Sequence, residues 1–96
     1  KVKIASFEVD EGMLETYIQL FIMNQITEPS FLTITLNLQL MDLHNRLRES
    51  VGLAKTLPLS QDDEFDEALL ELALNRLRED KRYKEHLRVF KDRMVE

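Results

Sequence analysis

The chain has 96 residues, a formal net charge of −5 at pH 7 and no cysteine. This length fits one domain with a modest core, and the lack of cysteine excludes disulfides, thiolate metal sites and a cysteine nucleophile and favours an intracellular, cytoplasmic location. The negative charge disfavours nucleic acid and anionic membranes as partners, because both are polyanions.

Residues 1–9 predict a short extended arm. Val2, Ile4, Phe7 and Val9 are apolar and roughly alternate with other residues, which is a strand pattern. A lone strand needs a partner. We expect this arm to be exposed, and one use for such an arm is to add a strand to a sheet of another protein.

Residues 10–26 predict the most buried helix. Asp10 is a good N-cap, and the apolar residues that follow recur at spacings of three and four. The most apolar stretch, residues 13–26, is shorter than the ~20 residues that a membrane span needs, and it contains Glu15 and Gln19. We therefore expect this helix to lie in a protein core and not in a membrane.

Residues 31–41 fit two templates. One set of apolar residues alternates as in a strand, and an overlapping set steps by three and four as in a helix. The alternating set is Leu32, Ile34, Leu36, Leu38 and Leu40, and the helical set is Leu32, Leu36, Leu40, Leu43 and Leu47. Ser30 fits an N-cap and Gly52 a C-cap, so we favour one continuous helix over residues 30–52. The alternative is an α+β fold with a βαβα start, in which strands at 1–9 and 31–41 pair.

The rest of the chain predicts two further helices, at about 61–79 and 81–95. Ser60, with Asp63 three residues later, resembles a capping box. Acidic residues dominate the start of this segment and basic residues its end. We favour a break near residue 80, because the chain is short and the exposed ends of one long lone helix are costly. An antiparallel hairpin would then set the acidic start beside the basic end, whereas a continuous helix would keep the two clusters apart.

These elements predict a small, mainly α bundle of about four helices with an extended N-terminal arm. The chain is expected to form a single domain over residues 1–96, with the arm at 1–9 and the helical core at 10–96. A helix with two apolar faces must pack against other elements on both faces, and a chain of about four helices offers few neighbours. A second copy or a partner helix would supply the missing neighbour.

The last predicted helix carries the candidate partner surface. Its apolar residues step by four, three and four, as in a helix packed along a seam, and basic residues flank them. The apolar contacts are Tyr83, Leu87, Phe90 and Met94, and the charged rim is Lys84, Arg88 and Lys91. The sequence therefore predicts a non-catalytic protein–protein interaction or regulatory module that binds a protein partner or forms a homo-oligomer.

The alternative function is that of a nucleic-acid-binding accessory protein. Lys81, Lys84, Arg88 and Lys91 form one basic stripe that could contact phosphates. The acidic balance of the chain and the lack of a recognised DNA-binding motif disfavour this reading.

Catalytic, metal and cofactor sites are not expected. His44 and His86 are far apart, neither has a second histidine at ligand spacing, and we expect both at the surface or at a seam edge. The acidic run at 62–67 lacks the glycine and ligand spacing of a calcium loop, and acidic residues suit a first helical turn anyway. With only Gly12 and Gly52, no phosphate-binding loop can be written.

Overall fold

A computed structural model describes residues 1–55 and 64–86. Within those residues the chain forms a two-stranded antiparallel sheet followed by four helices. The elements are β1 (Val2–Ile4), β2 (Phe7–Val9), α1 (Glu11–Ile26), α2 (Phe31–Ser50), α3 (Glu64–Glu79) and α4, which is described over residues 81–86. The predicted fold class, mainly α with an extended N-terminal arm, is confirmed.

The N-terminal arm is a β-hairpin. β1 and β2 pair antiparallel with Ile4 opposite Phe7, and Ala5 takes a left-handed conformation, with φ of 54°, in the turn between them. Ile4 and Val9 are buried, and the Phe7 ring meets the Phe65 ring of α3 edge-on at 5.5 Å. The expectation of an exposed arm is therefore wrong, because the two strands pair with each other and their apolar residues pack into the core.

Helix α1 begins where the sequence predicts. The Oδ2 atom of Asp10 accepts a hydrogen bond from the Met13 N–H at 2.9 Å, which satisfies one of the unpaired donors of the first turn. Leu14, Ile18 and Ile22 are spaced by four and are all buried. Their stripe is the centre of the core, which is completed by Leu47, Phe65, Leu69 and Leu77.

Helix α2 runs without interruption from Phe31 to Ser50. Ser30 caps it: the Ser30 Oγ accepts from the Leu32 N–H at 3.2 Å, and the Thr33 Oγ1 accepts from the Ser30 N–H at 2.8 Å. These two bonds stabilise a helical start just after Pro29. The favoured continuous helix is confirmed, and the βαβα alternative is wrong because residues 31–41 are helical.

The end of α2 is a Schellman motif. Gly52 adopts a φ of 84°, the Leu53 N–H donates to the Arg48 carbonyl at 2.9 Å, and the Gly52 N–H donates to the Glu49 carbonyl at 3.1 Å. A left-handed φ is easy for glycine, which has no Cβ to clash with the backbone. The predicted C-cap role of Gly52 is confirmed.

The break between α3 and α4 lies at Asp80. α3 ends at Glu79, and the Oδ1 atom of Asp80 accepts from the Arg82 N–H at 2.8 Å as the N-cap of α4. The predicted break near residue 80 is confirmed. The capping box of Ser60 and Asp63 lies outside the described residues. Among the helices that the structure describes, none is long and apolar enough to cross a membrane.

Candidate functional site

The first half of α2 carries apolar side chains on two opposite faces. Leu36 and Leu40 point inward and are buried, whereas Phe31, Ile34 and Leu38 are 89%, 57% and 61% exposed. An α-helix turns by about 100° per residue, so these three exposed residues lie on one stripe opposite the buried face. We call Phe31, Ile34 and Leu38 the outer α2 face.

The two faces have a simple origin in the sequence. Ile34, Leu36, Leu38 and Leu40 alternate with polar residues. On a helix, a step of two residues rotates the side chain by about 200°, so successive members of an alternating series point to opposite sides. The pattern that resembles a strand therefore produces an apolar inner face and an apolar outer face once the segment is helical.

The outer α2 face and its surroundings are uncharged. Residues 29–41 contain no Asp, Glu, Lys or Arg. The first charges after it are Asp42 and Arg46, which form an ion pair with an Oδ2–Nε distance of 3.0 Å, and both side chains are about two-thirds exposed. At these exposed fractions, the three side chains present on the order of 400 Å² of apolar surface. Exposed patches of this size are often functional.

A cleft of about 330 Å³ lies beside this face, between α1, α2 and α3. Most of its lining is apolar or aromatic. The lining residues are Tyr17, Phe21, Asn24, Asn37, Leu40, Met41, His44, Asp66, Leu69 and Leu70. Met41 connects the two features, since it lines the cleft and follows Leu38 on the same side of α2.

One end of the cleft contains a buried polar cluster. The Asp66 Oδ1 atom lies 2.7 Å from the His44 Nε2 atom and accepts a hydrogen bond from the Arg48 Nη1 atom at 2.9 Å. The side chains of Asp66, Arg48 and His44 are only 4%, 8% and 14% exposed. The Arg48 Nε–H also donates to the Ala54 carbonyl at 2.7 Å. The cluster ties α2 both to α3 and to the segment after α2.

Tyr17 contributes a neutral hydroxyl to the cleft. Burial and, to a smaller extent, the negative charge of Asp66 raise the pKa of Tyr17 to about 12. Its ring centroid lies 6.3 Å from that of His44. The phenol therefore stays protonated at neutral pH and is not a ready nucleophile or base.

The residues that the sequence predicts for partner binding fall largely outside the described part of the chain. Tyr83 is partly buried and packs against the core, and Lys84 is exposed. Next to them, an Arg82 Nη2–H donates to the Gln19 Oε1 atom at 3.0 Å, which links α4 to α1. The remaining predicted contacts, Leu87, Phe90, Met94, Arg88 and Lys91, lie outside the described residues, and their partner role stays a prediction.

Two residues in the polar cluster lie elsewhere than the sequence suggests. Asp66 belongs to the acidic run at 62–67, which the sequence analysis assigns only to a first helical turn, but it is buried. His44 is expected at the surface or a seam edge, but its side chain is mostly covered and pairs with Asp66. A sequence signal for this does exist: His44 and Arg48 are four apart on α2, and Asp66 shares a helical face with Leu69 and Ala73.

Comparison with known proteins yields no match: no family model, no curated protein and no solved structure is similar to this chain. In the part of the chain that the structure describes, no group of three or more His, Asp or Glu side chains is arranged to hold a metal ion. The outer α2 face and the cleft are therefore the features of the described residues that bear on function.

Proposed function

We propose that this chain is a non-catalytic protein–protein interaction module whose contact surface is the outer α2 face. The observation that carries the proposal is the stripe of Phe31, Ile34 and Leu38, which is exposed on the side of α2 opposite the core. A helix that is apolar on both sides is normally covered on both sides. A partner helix would provide the second cover.

Leaving these apolar side chains in water costs free energy that a partner could recover. Fully burying one side chain of this size is worth about 1.5–3 kcal/mol. Phe31 alone is 89% exposed, so nearly all of its gain is still available to a partner. Aromatic residues of this kind are enriched among the contacts that dominate binding energy.

The absence of charge on the outer α2 face favours a protein partner over a nucleic acid. Because residues 29–41 are uncharged, affinity through this face comes from apolar burial and depends weakly on salt. A nucleic acid would need phosphate contacts, and its binding would weaken steeply with salt. The outer α2 face therefore supports a protein partner, and the cysteine-free sequence is consistent with an intracellular one.

The polar cluster supports a non-catalytic role. His44, Arg48 and Asp66 bond to one another and to the backbone, which is the arrangement of a structural tie between helices. The Tyr17 hydroxyl is held in its neutral form. These groups serve the fold, whereas among residues 1–55 and 64–86 the outer α2 face makes no intramolecular contact of comparable burial.

Site-specific photo-crosslinking tests this proposal. A photoreactive amino acid is placed at Leu38, on the outer α2 face, and separately at Gln39, which is also exposed but points about 100° away. The variants are irradiated in the cells that make the protein. We expect protein adducts from position 38 and none, or far fewer, from position 39. Equal adducts from both positions, or none from 38, would refute the proposal.

A further inference from the structure

We propose that the partner is a second copy of this chain, bound antiparallel through the outer α2 face. This inference rests on the proposed function. Such a dimer has a two-fold axis, so the same patch must be complementary to itself. The outer α2 face and Met41 meet that requirement. The inference names both the partner and the register of the contact.

The register follows from the spacing of the apolar residues. Phe31, Ile34, Leu38 and Met41 are separated by three, four and three residues, which is the a–d–a–d spacing of a coiled-coil seam. In an antiparallel pair, each a residue lies beside a d residue of the other helix. Centring the pair at Leu36 sets Phe31 against Met41 of the second copy and Ile34 against Leu38 of the second copy.

Neighbouring registers are worse. A shift by one heptad in one direction would carry Leu38 and Met41 past the start of α2 in the second copy. A shift in the other direction would set Ile34 against Asn45 of the second copy. The first shift leaves apolar side chains without a helical neighbour and the second sets one against a polar side chain, so the register centred at Leu36 buries the most apolar surface.

Charge favours both the neutral face as the contact surface and the antiparallel orientation. Each copy carries a net charge of −5, so two copies repel each other, and this repulsion is weakest when they meet at a neutral surface such as residues 29–41. The first turn of α2 has no acidic residue. An antiparallel pair brings Asp42 of the second copy level with Ser30, near the positive end of the α2 dipole, whereas a parallel pair keeps Asp42 of each copy far from that end.

The small area of the outer α2 face indicates a weak dimer. If each copy contributes on the order of 400 Å², the pair buries about 800 Å², which is below the standard protein–protein interface of roughly 1,600 Å². We therefore expect a reversible dimer with a dissociation constant in the micromolar range.

Two measurements test the inference. In sedimentation velocity, the unmodified chain is expected to shift from monomer to dimer as its concentration rises through the micromolar range. The second measurement uses the lack of native cysteine. A variant carrying both Phe31→Cys and Met41→Cys is expected to form a covalent dimer on oxidation, because these positions meet across the antiparallel pair.

The single variants provide the control. Two copies of Phe31→Cys, or two of Met41→Cys, hold their thiols about 15 Å apart along the antiparallel pair, too far for a disulfide. The same distance prevents a bridge within one chain. A parallel dimer would instead cross-link each single variant. Circular dichroism checks that the variants keep their helices.

The outcomes separate this inference from the function on which it rests. Dimers by sedimentation, with a covalent product from the double variant alone, support it. A monomer at all concentrations, or a covalent dimer of the single variant Phe31→Cys, overturns it. If the chain is monomeric but position 38 photo-crosslinks to a different protein, the proposed interaction module is supported and self-association is refuted. Binding of the monomer to lipid vesicles, lost in Leu38→Glu, would assign the face to a membrane and overturn both.

Discussion

Arg48 and Asp66 form a buried ion pair in which the Nη1–Oδ1 distance is 2.9 Å. The pair joins the last turns of α2 to the first turn of α3, and His44 approaches the same carboxylate oxygen. Burial of two charges is costly, and it is tolerated when each charge has well-placed partners. The relative placement of these two helices, and hence of the cleft, depends on this contact.

The first prediction concerns Asp66. Asp66→Asn removes the negative charge and leaves the Arg48 guanidinium in a site where it is almost fully buried. We expect the free energy of unfolding to fall by about 3 kcal/mol, the usual cost of breaking a buried pair. Urea denaturation measures it. Asp42→Asn, in the exposed pair with Arg46, is the control and should cost less than about 1 kcal/mol. Equal losses would show that burial of the Asp66 pair is unimportant.

The second prediction concerns alkaline pH. The folded-state pKa of Tyr17 is raised to about 12, whereas an unfolded tyrosine titrates near 10. The unfolded state therefore loses this proton first, and the free energy of unfolding should fall by roughly 2–3 kcal/mol between those two pH values. Titration of tyrosinate absorbance should show one late transition that is missing in Tyr17→Phe. If wild type and Tyr17→Phe lose stability in parallel, burial of this hydroxyl is contradicted.

The third prediction concerns acidic pH. The Arg76 Nη1 and Nη2 atoms donate to the two Glu15 carboxylate oxygens at 2.9 and 3.0 Å, and this hydrogen bonding lowers the pKa of Glu15 from 4.5. The contribution to stability is present above pH 4.5 and is lost as the pH falls through the lowered value. Because both side chains are partly exposed, we expect Glu15→Gln to cost less than about 1 kcal/mol at pH 7.

Thermal unfolding at a series of pH values checks this result. The difference between wild type and Glu15→Gln should shrink to nothing in acid. Glu71→Gln, at an exposed position on α3, serves as the control for the loss of one negative charge. A constant difference at every pH would mean that Glu15 acts through packing and not through its charge.

The fourth prediction concerns the end of α2. A Cβ added at Gly52 would meet no atom within 4 Å, so Gly52→Ala isolates the cost of the left-handed φ of 84°. We expect a loss of about 1–2 kcal/mol. Gly52→Asn should lose less, because asparagine tolerates this conformation better. Chemical denaturation of the two variants makes the comparison. If both residues are accommodated equally, the Schellman geometry does not constrain position 52.

The parts of the fold that could be predicted from sequence are those with local causes. Asp10 and Ser30 begin helices and Gly52 ends one because their bonds join residues only a few positions apart. The break at Asp80 is also local, since its carboxylate bonds to the backbone two residues on. Such signals can be read without knowing the tertiary structure.

The parts that were missed depend on contacts between distant residues. Asp66 meets His44 and Arg48 across 22 and 18 positions. The helical face that Asp66 shares with Leu69 and Ala73 indicates a buried position, but it does not identify these distant partners. The hairpin is local, but the sequence does not predict it because its turn at Ala5 lacks the Asn-Gly or Asp-Gly signal of a tight turn. The outer α2 face could be read as apolar, but only the packing of Leu36 and Leu40 shows which side of the helix is covered.

The central claim is that the outer α2 face of one copy binds the same face of another. The most direct test compares Leu38→Glu with Gln39→Glu by sedimentation velocity. Both variants add one negative charge to an exposed position of α2, but only the first places it in the seam. In the micromolar range, Gln39→Glu should sediment as a dimer like the unmodified chain, and Leu38→Glu should sediment as a monomer with unchanged helicity. Equal sedimentation of the two variants would contradict the claim.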